Sequence, residues 1–207
     1  MYKNFFKRAI DILLSLIATP FVLLVIVIMA PFIYFEDKGP VFYNATRRGR
    51  NGKNFKMFKL RSMYVNSPDL KNPDGSTFNS DKYPRVTKIG RFMRKTSVDE
   101  LPQILNVLIG DMSFIGPHPT LANRPYEELS EDRKKRLQVR PGITGYAQAY
   151  YRNSITQDEK FMHDCYYVDN ISFAMDVKIL FKTVTSVLKR ENINTTTEAP
   201  KEKVETK

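Results

Sequence analysis

Two adjacent carboxylates, Asp99 and Glu100, are the residues of this chain whose types and spacing most clearly suggest chemistry. They lie in the stretch Lys-Thr-Ser-Val-Asp-Glu-Leu-Pro-Gln (95–103), and the sequence around that stretch is otherwise basic. An ionised aspartate can act as a nucleophile or as a ligand of Mg²⁺. The pair therefore marks a candidate site for catalysis and metal binding.

A structural interpretation of the same residues competes with the chemical one. Ser97 followed three residues later by Glu100 fits a capping box, which satisfies free backbone N–H groups at the start of a helix. A helix capped by Ser97 would place Pro102 in its interior, where the ring presses on the carbonyl group of Val98. With Asp99 as the N-cap instead, the proline falls in the first turn, where it is tolerated.

Both possible starts lead to the same element. They predict an apolar helix over residues 103–109 that ends at Gly110, because glycine commonly follows the last turn of a helix. They also place the two acids at the positive end of that helix, which favours the ionised form of a carboxyl group. Capping and chemistry both remain open for this stretch on the sequence alone.

The composition limits the class of function. The 207 residues carry a formal net charge of +11, which indicates nucleic acid, anionic lipid headgroups or a phosphorylated small molecule as partner. Cys165 is the single cysteine, and the two histidines, His118 and His163, are far apart. A disulfide within the chain and a zinc motif are therefore excluded, and a reducing cytoplasmic location fits. The length corresponds to one ordinary domain plus an additional segment.

The additional segment is the amino terminus. Lys3, Lys7 and Arg8 precede an almost wholly apolar run over residues 9–35, in which Asp11 is the only acid before residue 36. The run lacks a following small-residue cleavage site in polar surroundings, which disfavours a signal peptide. It is long enough for a transmembrane helix.

Thr19 and Pro20, near the middle of this run, favour another topology. Pro20 removes a backbone hydrogen bond and bends a helix, while the Thr19 hydroxyl can bond a freed carbonyl group. Basic sequence flanks the run on both sides, which tends to keep both ends in the cytoplasm. A hairpin that dips into one leaflet satisfies these signals. Since proline kinks also occur in ordinary spans, hairpin and span both remain open.

A cationic β-hairpin is predicted next, with Asn51-Gly52 as its turn. Residues 47–61 include seven basic side chains and no acid. Lys59 and Arg61 are two residues apart, so on a strand they share a face, which is a suitable geometry for clamping a phosphate. A merely solvated basic face explains the tip of the hairpin equally well.

The remaining sequence is mainly helical in pattern. Helices are predicted over residues 85–94, 126–139, 158–168 and 173–188. Arg94 lies near enough in sequence to pair with Asp99 or with a bound phosphate. Glycine N–H groups in the loop Arg-Pro-Gly-Ile-Thr-Gly (140–145) could line an anion site. Residues 67–84 are predicted to form a long loop and residues 191–207 a disordered tail.

Six short segments occur in a characteristic order along residues 6–190. They are Gly-Pro-Val-Phe (39–42), Lys-Leu-Arg-Ser-Met (59–63), Asp-Glu-Leu-Pro-Gln followed by Asn-Val-Leu (99–108), Gly-Asp-Met-Ser (110–113), Arg-Pro-Gly-Ile-Thr-Gly with Ala-Gln (140–148) and Asp-Val-Lys-Ile-Leu (176–180). Each is weak alone, but their order is highly specific. Together they resemble the bacterial sugar transferase family, the monotopic phosphoglycosyl transferases that start polyprenyl-linked glycan assembly.

The resemblance implies an α+β, mostly helical fold in three parts. Residues 1–36 would form a re-entrant membrane hairpin, helix-break-helix, with Thr19 and Pro20 at the break. Residues 37–190 would form a compact catalytic domain with a small β-hairpin and amphipathic interfacial helices, and residues 191–207 a disordered tail. The protein would lie in the bacterial cytoplasmic (inner) membrane as a small, stand-alone form, with its catalytic domain facing the cytoplasm.

The resemblance also implies a reaction in two steps. A UDP-sugar gives its phosphosugar to undecaprenyl phosphate and releases UMP. By analogy, Asp99 is the nucleophile that forms a covalent aspartyl-phosphosugar, which the lipid phosphate then displaces in ping-pong chemistry. Membrane lipid is a further partner, downstream glycosyltransferases are possible partners, and nucleic acid is not expected.

A carboxylate that attacks a pyrophosphate needs nearby positive charge to offset repulsion. The resemblance implies Mg²⁺ as cofactor, with Asp99 and Glu100 as metal ligands, and Glu100 is also a candidate acid or base. The residues expected to bind substrate are Lys59, Arg61, Arg94, His118 and Arg140.

One departure from the family pattern concerns these phosphate contacts. The family commonly has Gly-Pro-Arg-Pro where this chain has Gly-Pro-His-Pro (116–119). Histidine, with an ordinary pKa of about 6.5, cannot reproduce the permanent bidentate grip of arginine. Weaker binding, pH-dependent binding or a different sugar donor is therefore expected. Tyr146, where the family often has tryptophan, is a milder departure.

Two other functions fit parts of the sequence. One is a membrane-tethered basic adaptor that binds anionic lipid or nucleic acid without catalysis. It needs paired acids only for capping, so Asp99→Asn should leave its binding intact. The other is a family member that is inactive because of His118. The sequence does not specify the sugar, the glycan pathway or the oligomeric state.

Overall fold

The computed structural model describes residues 1–67, 85–152 and 154–189. In these ranges the chain forms seven α-helices and five short strands, so the expectation of a mostly helical α+β fold is confirmed. The predicted loop over residues 67–84, except its first residue, and the predicted tail over residues 191–207 lie outside the described residues. The helices are α1 (Lys7–Asp37), α2 (Lys88–Thr96), α3 (Gln103–Ile109), α4 (Glu131–Arg136), α5 (Tyr146–Tyr150), α6 (Gln157–Asp169) and α7 (Phe173–Leu188). The strands are β1 (Ala45–Arg48), β2 (Asn54–Met57), β3 (Ser113–Ile115), β4 (Thr120–Leu121) and β5 (Gly142–Thr144).

Helix α1 is continuous through the predicted break. It is 31 residues long and contains Pro20 and Pro31, and among the described residues the helical stretch Tyr2–Asp37 is long and apolar enough to cross a membrane. The Thr19 hydroxyl donates to the Ser15 carbonyl at 2.7 Å. Pro20 has no N–H group to donate to the Leu16 carbonyl, and Ser15 is the residue just before it. The helix continues through Thr19 and Pro20 without the predicted break.

Both ends of α1 are bonded to the same folded body. At the amino-terminal end the Arg8 guanidinium donates to the carbonyl groups of Val107 and Leu108, at 2.6 and 2.9 Å. At the carboxyl-terminal end, Asp37 accepts hydrogen bonds of 2.5 and 2.6 Å from Arg61. Polar contacts thus hold the two ends of the apolar helix to one domain.

One face of α1 supplies part of the core, and another is exposed and apolar. Met29 and Ile33, one turn apart, pack with Leu60 and Met93. An exposed set of apolar side chains elsewhere on the helix includes Leu13, Ile17, Leu24, Val27 and Phe35. A contiguous apolar surface of this kind needs a partner other than water, which favours membrane association.

The cationic hairpin is confirmed. Strands β1 and β2 pair antiparallel, with Ala45 opposite Met57, and β1 also pairs with β4. Between the strands, Asn51 and Gly52 have φ values of 55° and 77°, which glycine and asparagine adopt at little cost. On the inner side, Phe55 and the end of β2 pack against Val107 of α3. The hairpin is therefore fixed on the helix that follows the acidic pair.

The glycine loop has a packing role. Gly142 N–H donates to the Pro117 carbonyl at 3.0 Å, and Gly116 N–H donates to the Thr144 carbonyl at 2.9 Å. A Cβ atom on Gly142 would lie 2.1 Å from the Gly116 nitrogen, so only glycine permits the parallel contact of β3 with β5. For Gly142, the expectation of an N–H group that lines an anion site is wrong, because a backbone acceptor already occupies it.

The helical predictions differ in accuracy. Helix α7 has the predicted bounds, and α3 ends at Gly110, whose φ of 103° is that of a glycine cap. The helix predicted over residues 126–139 is reduced to α4, a six-residue helix. Its amino-terminal part forms turns instead, and Ser130 in extended conformation precedes the helix.

Candidate active site

The acidic pair lies in a short 3₁₀ turn, Val98–Glu100, between α2 and α3. Ser97 has a φ of 57°, and its N–H group closes the end of α2, while its side chain makes no capping hydrogen bond. Helix α3 begins only at Gln103, directly after Pro102. Both capping interpretations are therefore wrong: neither Ser97 nor Asp99 is the N-cap of α3. The physical reason is that α2 extends to Thr96 and ends in a left-handed residue, so the proline is accommodated just before the next helix.

Backbone and amide hydrogen bonds fix the neighbouring segment against this turn. Leu60 N–H donates to the Asp99 carbonyl at 2.9 Å. The fully buried Asn106 of α3 accepts from Phe58 N–H at 2.8 Å and donates to a carbonyl group of β2 at 2.8 Å. These bonds hold the segment after β2 in register with the turn, and they bring Lys59 to the acidic pair.

One ammonium group bridges the two carboxylates. Lys59 Nζ lies 3.0 Å from Asp99 Oδ2 and 2.9 Å from Glu100 Oε1. The Asp99 side chain is 3% exposed and that of Glu100 37% exposed. The site therefore has a buried carboxylate beneath an accessible one, with a cation between them.

Burial and charge act differently on the three groups. Burial raises the pKa of Asp99 despite the opposing attraction of Lys59. The Lys59 charge lowers the pKa of the more exposed Glu100. Burial disfavours the charged form of Lys59, but the two carboxylates outweigh it and raise the pKa of Lys59. At neutral pH the arrangement is thus a lysinium ion shared by carboxylates, with Asp99 the more easily protonated acid.

Two further predicted residues contribute charge or polarity near the pair. Arg94 donates from Nε to Ser62 Oγ at 2.9 Å, and its positive charge lowers the pKa of both acids. His118 is close enough to Glu100 for each to affect the pKa of the other. The structure thus brings Lys59, Arg94 and His118 together around Asp99 and Glu100.

His118 differs from an arginine at the same position in its charge. Part of the His118 residue is exposed to solvent. Packing around the ring nevertheless lowers the pKa of His118. The nearby cations Arg47 and Arg136 lower it further, while the negative charge of Glu100 acts in the opposite direction. Its carbonyl group accepts a 2.7 Å hydrogen bond from Arg136, which is paired with the buried Asp164. The imidazole is therefore held in the neutral form near pH 7.

Arg61 is not part of this constellation. Its guanidinium group pairs with Asp37 at 2.5 Å, where the side chains are 7% and 13% exposed, and also donates to the Ile33 and Met63 carbonyl groups. The predicted clamp of Lys59 and Arg61 does not form, because the segment they share is not a regular strand and each side chain has its own acidic partner. Substrate binding by Arg61 remains a prediction without a supporting contact.

Arg140 also lies elsewhere. It donates from Nε to the Gly110 carbonyl at 2.8 Å. The charged groups that influence the pKa of Arg140 are Arg8, Arg50 and Asp11, and the acidic pair is not among them. Its predicted role at the catalytic site therefore has no contact in support.

The acidic pair fits a magnesium site only in part. In the described ranges, no group of three or more His, Cys, Asp or Glu side chains could hold a metal ion. Magnesium is commonly bound by one or two protein carboxylates together with substrate phosphates and water. Asp99 and Glu100 supply that minimal set, and the accessible Glu100 oxygen atoms could receive the ion with the substrate.

Sequence reasoning missed a polar network, centred on Asp176, that fixes the amino-terminal segment to the domain. Asp176, quoted only as part of a motif, accepts hydrogen bonds from Tyr2 at 2.6 Å, Lys7 at 2.6 Å and Tyr167 at 2.7 Å. It thereby ties α7 and α6 to the amino-terminal segment. The sequence contains an indication of this role, because a carboxylate such as Asp176 on the apolar face of a helix requires polar partners.

Comparisons of this sequence with known proteins point to one family. A family model described as "Bacterial sugar transferase" matches residues 2–190. A galactosyl transferase, CpsE, of Streptococcus agalactiae is 40% identical over 190 residues, which are 88% of this chain and 42% of that protein. An undecaprenyl-phosphate galactose phosphotransferase of Salmonella typhimurium is 37% identical over 206 residues, 91% of this chain and 42% of that protein.

A relative of similar length is the uncharacterized sugar transferase EpsL of Bacillus subtilis, which is 40% identical over 191 residues, 92% of this chain and 91% of that protein. The chain thus spans about two fifths of the length of the first two relatives and nearly all of the third. Because the family model covers almost all of the described residues, this protein belongs to the bacterial sugar transferase family.

Proposed function

We propose that this protein transfers a phosphosugar from a UDP-sugar to undecaprenyl phosphate and thereby produces a polyprenyl diphosphate sugar and UMP. The observation that carries the proposal is the bridge from Lys59 to Asp99 and Glu100, in a family of sugar transferases. A relative from Salmonella is named for a reaction of this type with galactose.

In the first step, an Asp99 carboxylate oxygen attacks the phosphorus atom that carries the sugar. A bond forms between this oxygen and phosphorus, the bond from phosphorus to the UMP oxygen breaks, and UMP leaves with the electron pair. In the second step, an oxygen of undecaprenyl phosphate attacks the same phosphorus and releases Asp99. This is nucleophilic catalysis with a ping-pong order.

Lys59 gives this reaction an electrostatic basis. An anionic nucleophile and an anionic pyrophosphate repel each other, and a fixed cation at the point of attack reduces that repulsion. Lys59 lies 3.0 Å from Asp99 before substrate arrives, so little reorganisation is required. Arg94 adds a second positive charge near both acids.

We also propose Mg²⁺ as the cofactor. Glu100, together with Asp99 and the substrate phosphates, would hold it, and the ion would supply positive charge to the pyrophosphate. Glu100 suits this role because its carboxyl group is 37% exposed and its pKa is lowered by Lys59. It is therefore ionised and accessible at neutral pH.

The membrane arrangement that we propose is a re-entrant one on the cytoplasmic side of the inner membrane. The support is that Arg8 and Asp37, near opposite ends of α1, are both bonded to the same domain. A domain on one side of a bilayer could not hold both ends of a helix that crosses it. Helix α7 adds an exposed apolar stripe that would lie on the membrane surface. Its exposed members are Phe173, Val177, Leu180, Phe181 and Val184.

The experiment separates the two half-reactions. Protein in nanodiscs is incubated with Mg²⁺ and a panel of UDP-sugars, first without undecaprenyl phosphate. We expect about one UMP per protein and a mass increase equal to the phosphosugar, and then multiple turnovers when the lipid is added. Asp99→Asn should abolish both signals, whereas Asp158→Asn, on the exposed side of α6, should behave as wild type.

Two results would contradict this proposal. UMP release by Asp99→Asn at the wild-type rate would remove Asp99 as the nucleophile. An absence of UMP with every donor, in a protein that still binds anionic lipid, would favour the basic adaptor without catalysis. His118→Arg on the same panel then distinguishes that adaptor from an enzyme inactivated by His118, since only the latter would regain turnover.

A further inference from the structure

A polar cavity lies at the amino-terminal end of α1, where that end meets the tip of the β1–β2 hairpin and the loop before β5. We call it the basic cavity. Six charged residues line it: Lys3, Lys7, Arg8, Arg50, Arg140 and the acid Asp11. None of them is a member of the cluster around Asp99.

Two arginines of the basic cavity are held in place by backbone acceptors. Arg8 donates to the carbonyl groups of Val107 and Leu108 at the end of α3, and Arg140 donates from Nε to the carbonyl group of Gly110. A guanidinium group has five N–H donors in a planar fork. Both side chains are therefore oriented by a few bonds and retain donors for another acceptor.

The positive charge in the basic cavity is only partly compensated. Lys7 is paired with Asp176 at 2.6 Å. One oxygen of Asp11 accepts hydrogen bonds of 3.1 Å from Ser113 and Phe114. Within the described ranges, no carboxylate forms an ion pair with the other four lining cations, which are Lys3, Arg8, Arg50 and Arg140.

Those cations are also close enough to oppose one another. Burial and the nearby charges of Arg8 and Arg50 lower the pKa of Arg140. Grouped cations with free donors are the usual arrangement for binding phosphate, because charge-assisted hydrogen bonds relieve their repulsion.

The position of the basic cavity indicates where such a phosphate comes from. Phe5 and Phe6, next in sequence to its lining, are 66% and 47% exposed, and the exposed apolar surface of α1 begins beyond them. The basic cavity thus lies at the boundary between apolar and polar surface, which is the depth of phospholipid phosphates in a bilayer. Acyl chains of a bound lipid would cover the exposed phenylalanines.

We infer that the basic cavity binds the phosphate of an anionic phospholipid, at a site separate from the acidic pair. The lipid headgroup is held between the amino-terminal segment, the hairpin tip and the segment around Arg140. A bound headgroup thereby links the membrane anchor to the catalytic domain. This inference requires membrane association but not transferase activity.

The test is native mass spectrometry of the full chain in detergent with added phosphatidylglycerol or zwitterionic phosphatidylcholine. We expect wild-type protein to retain one phosphatidylglycerol. In the double variant Lys3→Gln/Arg50→Gln, the fraction of protein with bound lipid should fall by about tenfold or more. The matched control is Lys53→Gln/Lys95→Gln, which removes the same charge from exposed lysines outside the basic cavity. The control should retain lipid as wild type does.

The double variant should fold normally, because Lys3 and Arg50 are both exposed. The single variant Arg50→Gln should already lower lipid retention. Equal retention by the double variant and its control, or equal retention of the zwitterionic lipid, would overturn the inference. Displacement of the lipid by inorganic phosphate would assign the basic cavity to a free phosphate instead. Displacement by equimolar undecaprenyl phosphate would assign it to the acceptor lipid. Persistence of the bound phosphatidylglycerol against both competitors supports the inference.

Discussion

Lys59 Nζ lies 3.0 Å from Asp99 Oδ2, and a backbone bond from Leu60 N–H to the Asp99 carbonyl keeps the two segments in register. The cation is thus built into the resting site and does not depend on substrate for its position. Because the Asp99 side chain is only 3% exposed, its carboxylate has little water to stabilise its charge. Lys59 takes over much of that stabilisation.

Lys59→Gln is predicted to reduce UMP release by about 10²–10³-fold, the usual range for loss of one fixed charge or donor at a developing anion. Without this cation, Arg94 is the remaining positive charge that opposes the effect of burial, and the pKa of Asp99 rises further. Asp99 is then protonated up to a higher pH, so the acidic limb of the rate profile shifts towards higher pH. A pH–rate profile measures both effects. Lys56→Gln, at an exposed position of β2, is the charge-matched control, and an equal loss in that variant would contradict the prediction.

Glu100→Gln is predicted to raise the Mg²⁺ concentration for half-maximal activity by about 10–100-fold, the range typical of a lost metal-site interaction. The variant keeps the shape of the side chain but removes its charge, and the group is accessible enough to meet the ion. Activity is titrated with Mg²⁺ after removal of bound metal by EDTA. An unchanged Mg²⁺ requirement with lower maximal activity would assign Glu100 to acid or base chemistry instead.

Arg61→Gln is predicted to lower the free energy of unfolding by about 3–5 kcal/mol, the cost of leaving one member of a buried ion pair without its partner. The partner is Asp37, at 2.5 Å, at the end of α1. Asp37→Asn should destabilise the protein similarly, because it breaks the same contact. Thermal and denaturant unfolding in detergent give the magnitude.

The KM for the UDP-sugar separates this structural role from substrate binding. Folded Arg61→Gln protein should have an unchanged KM, since no contact joins Arg61 to the acidic pair in the part of the chain that the structure describes. A raised KM with unchanged stability would restore Arg61 as a phosphate ligand.

The sequence predicted those features that depend on local chemistry. The Asn51-Gly52 turn and the cap at Gly110 follow from φ values that few residues adopt, and the extent of α7 follows from its apolar spacing. The acidic pair and Lys59 were identified by residue type, and the structure brings them together.

What failed depended on contacts between distant segments. Arg61 was assigned to phosphate by its spacing from Lys59, but its partner, Asp37, lies 24 positions earlier in the chain. Arg140 was assigned to the same site, but it packs beside Arg8 at the other end of α3. A local pattern shows which residues are charged, but it does not show which opposite charge the fold places beside them.

His118 is predicted to make no contribution to pH dependence between about pH 6 and pH 8, because packing around the ring lowers the pKa of His118 from about 6.5 to about 4, below this whole interval. An ordinary histidine would lose its positive charge as pH rises through this interval. The rate ratio of wild type to His118→Gln should therefore stay constant within about twofold across it. A ratio that falls steadily with rising pH would mean that protonated His118 binds the substrate.

The ends of α1 are predicted to lie on the same side of the membrane. Cys165 is buried and is first replaced by serine, and single cysteines are then introduced at the exposed positions Asn4 and Tyr43. Because Arg8 is bonded to α3 and Asp37 to Arg61, both ends must accompany the domain. An impermeant maleimide should label both cysteines in inverted membrane vesicles and neither in intact spheroplasts. Labelling of Asn4→Cys alone in spheroplasts would mean that α1 crosses the bilayer, and the polar contacts at its amino-terminal end would then have to be absent in the membrane.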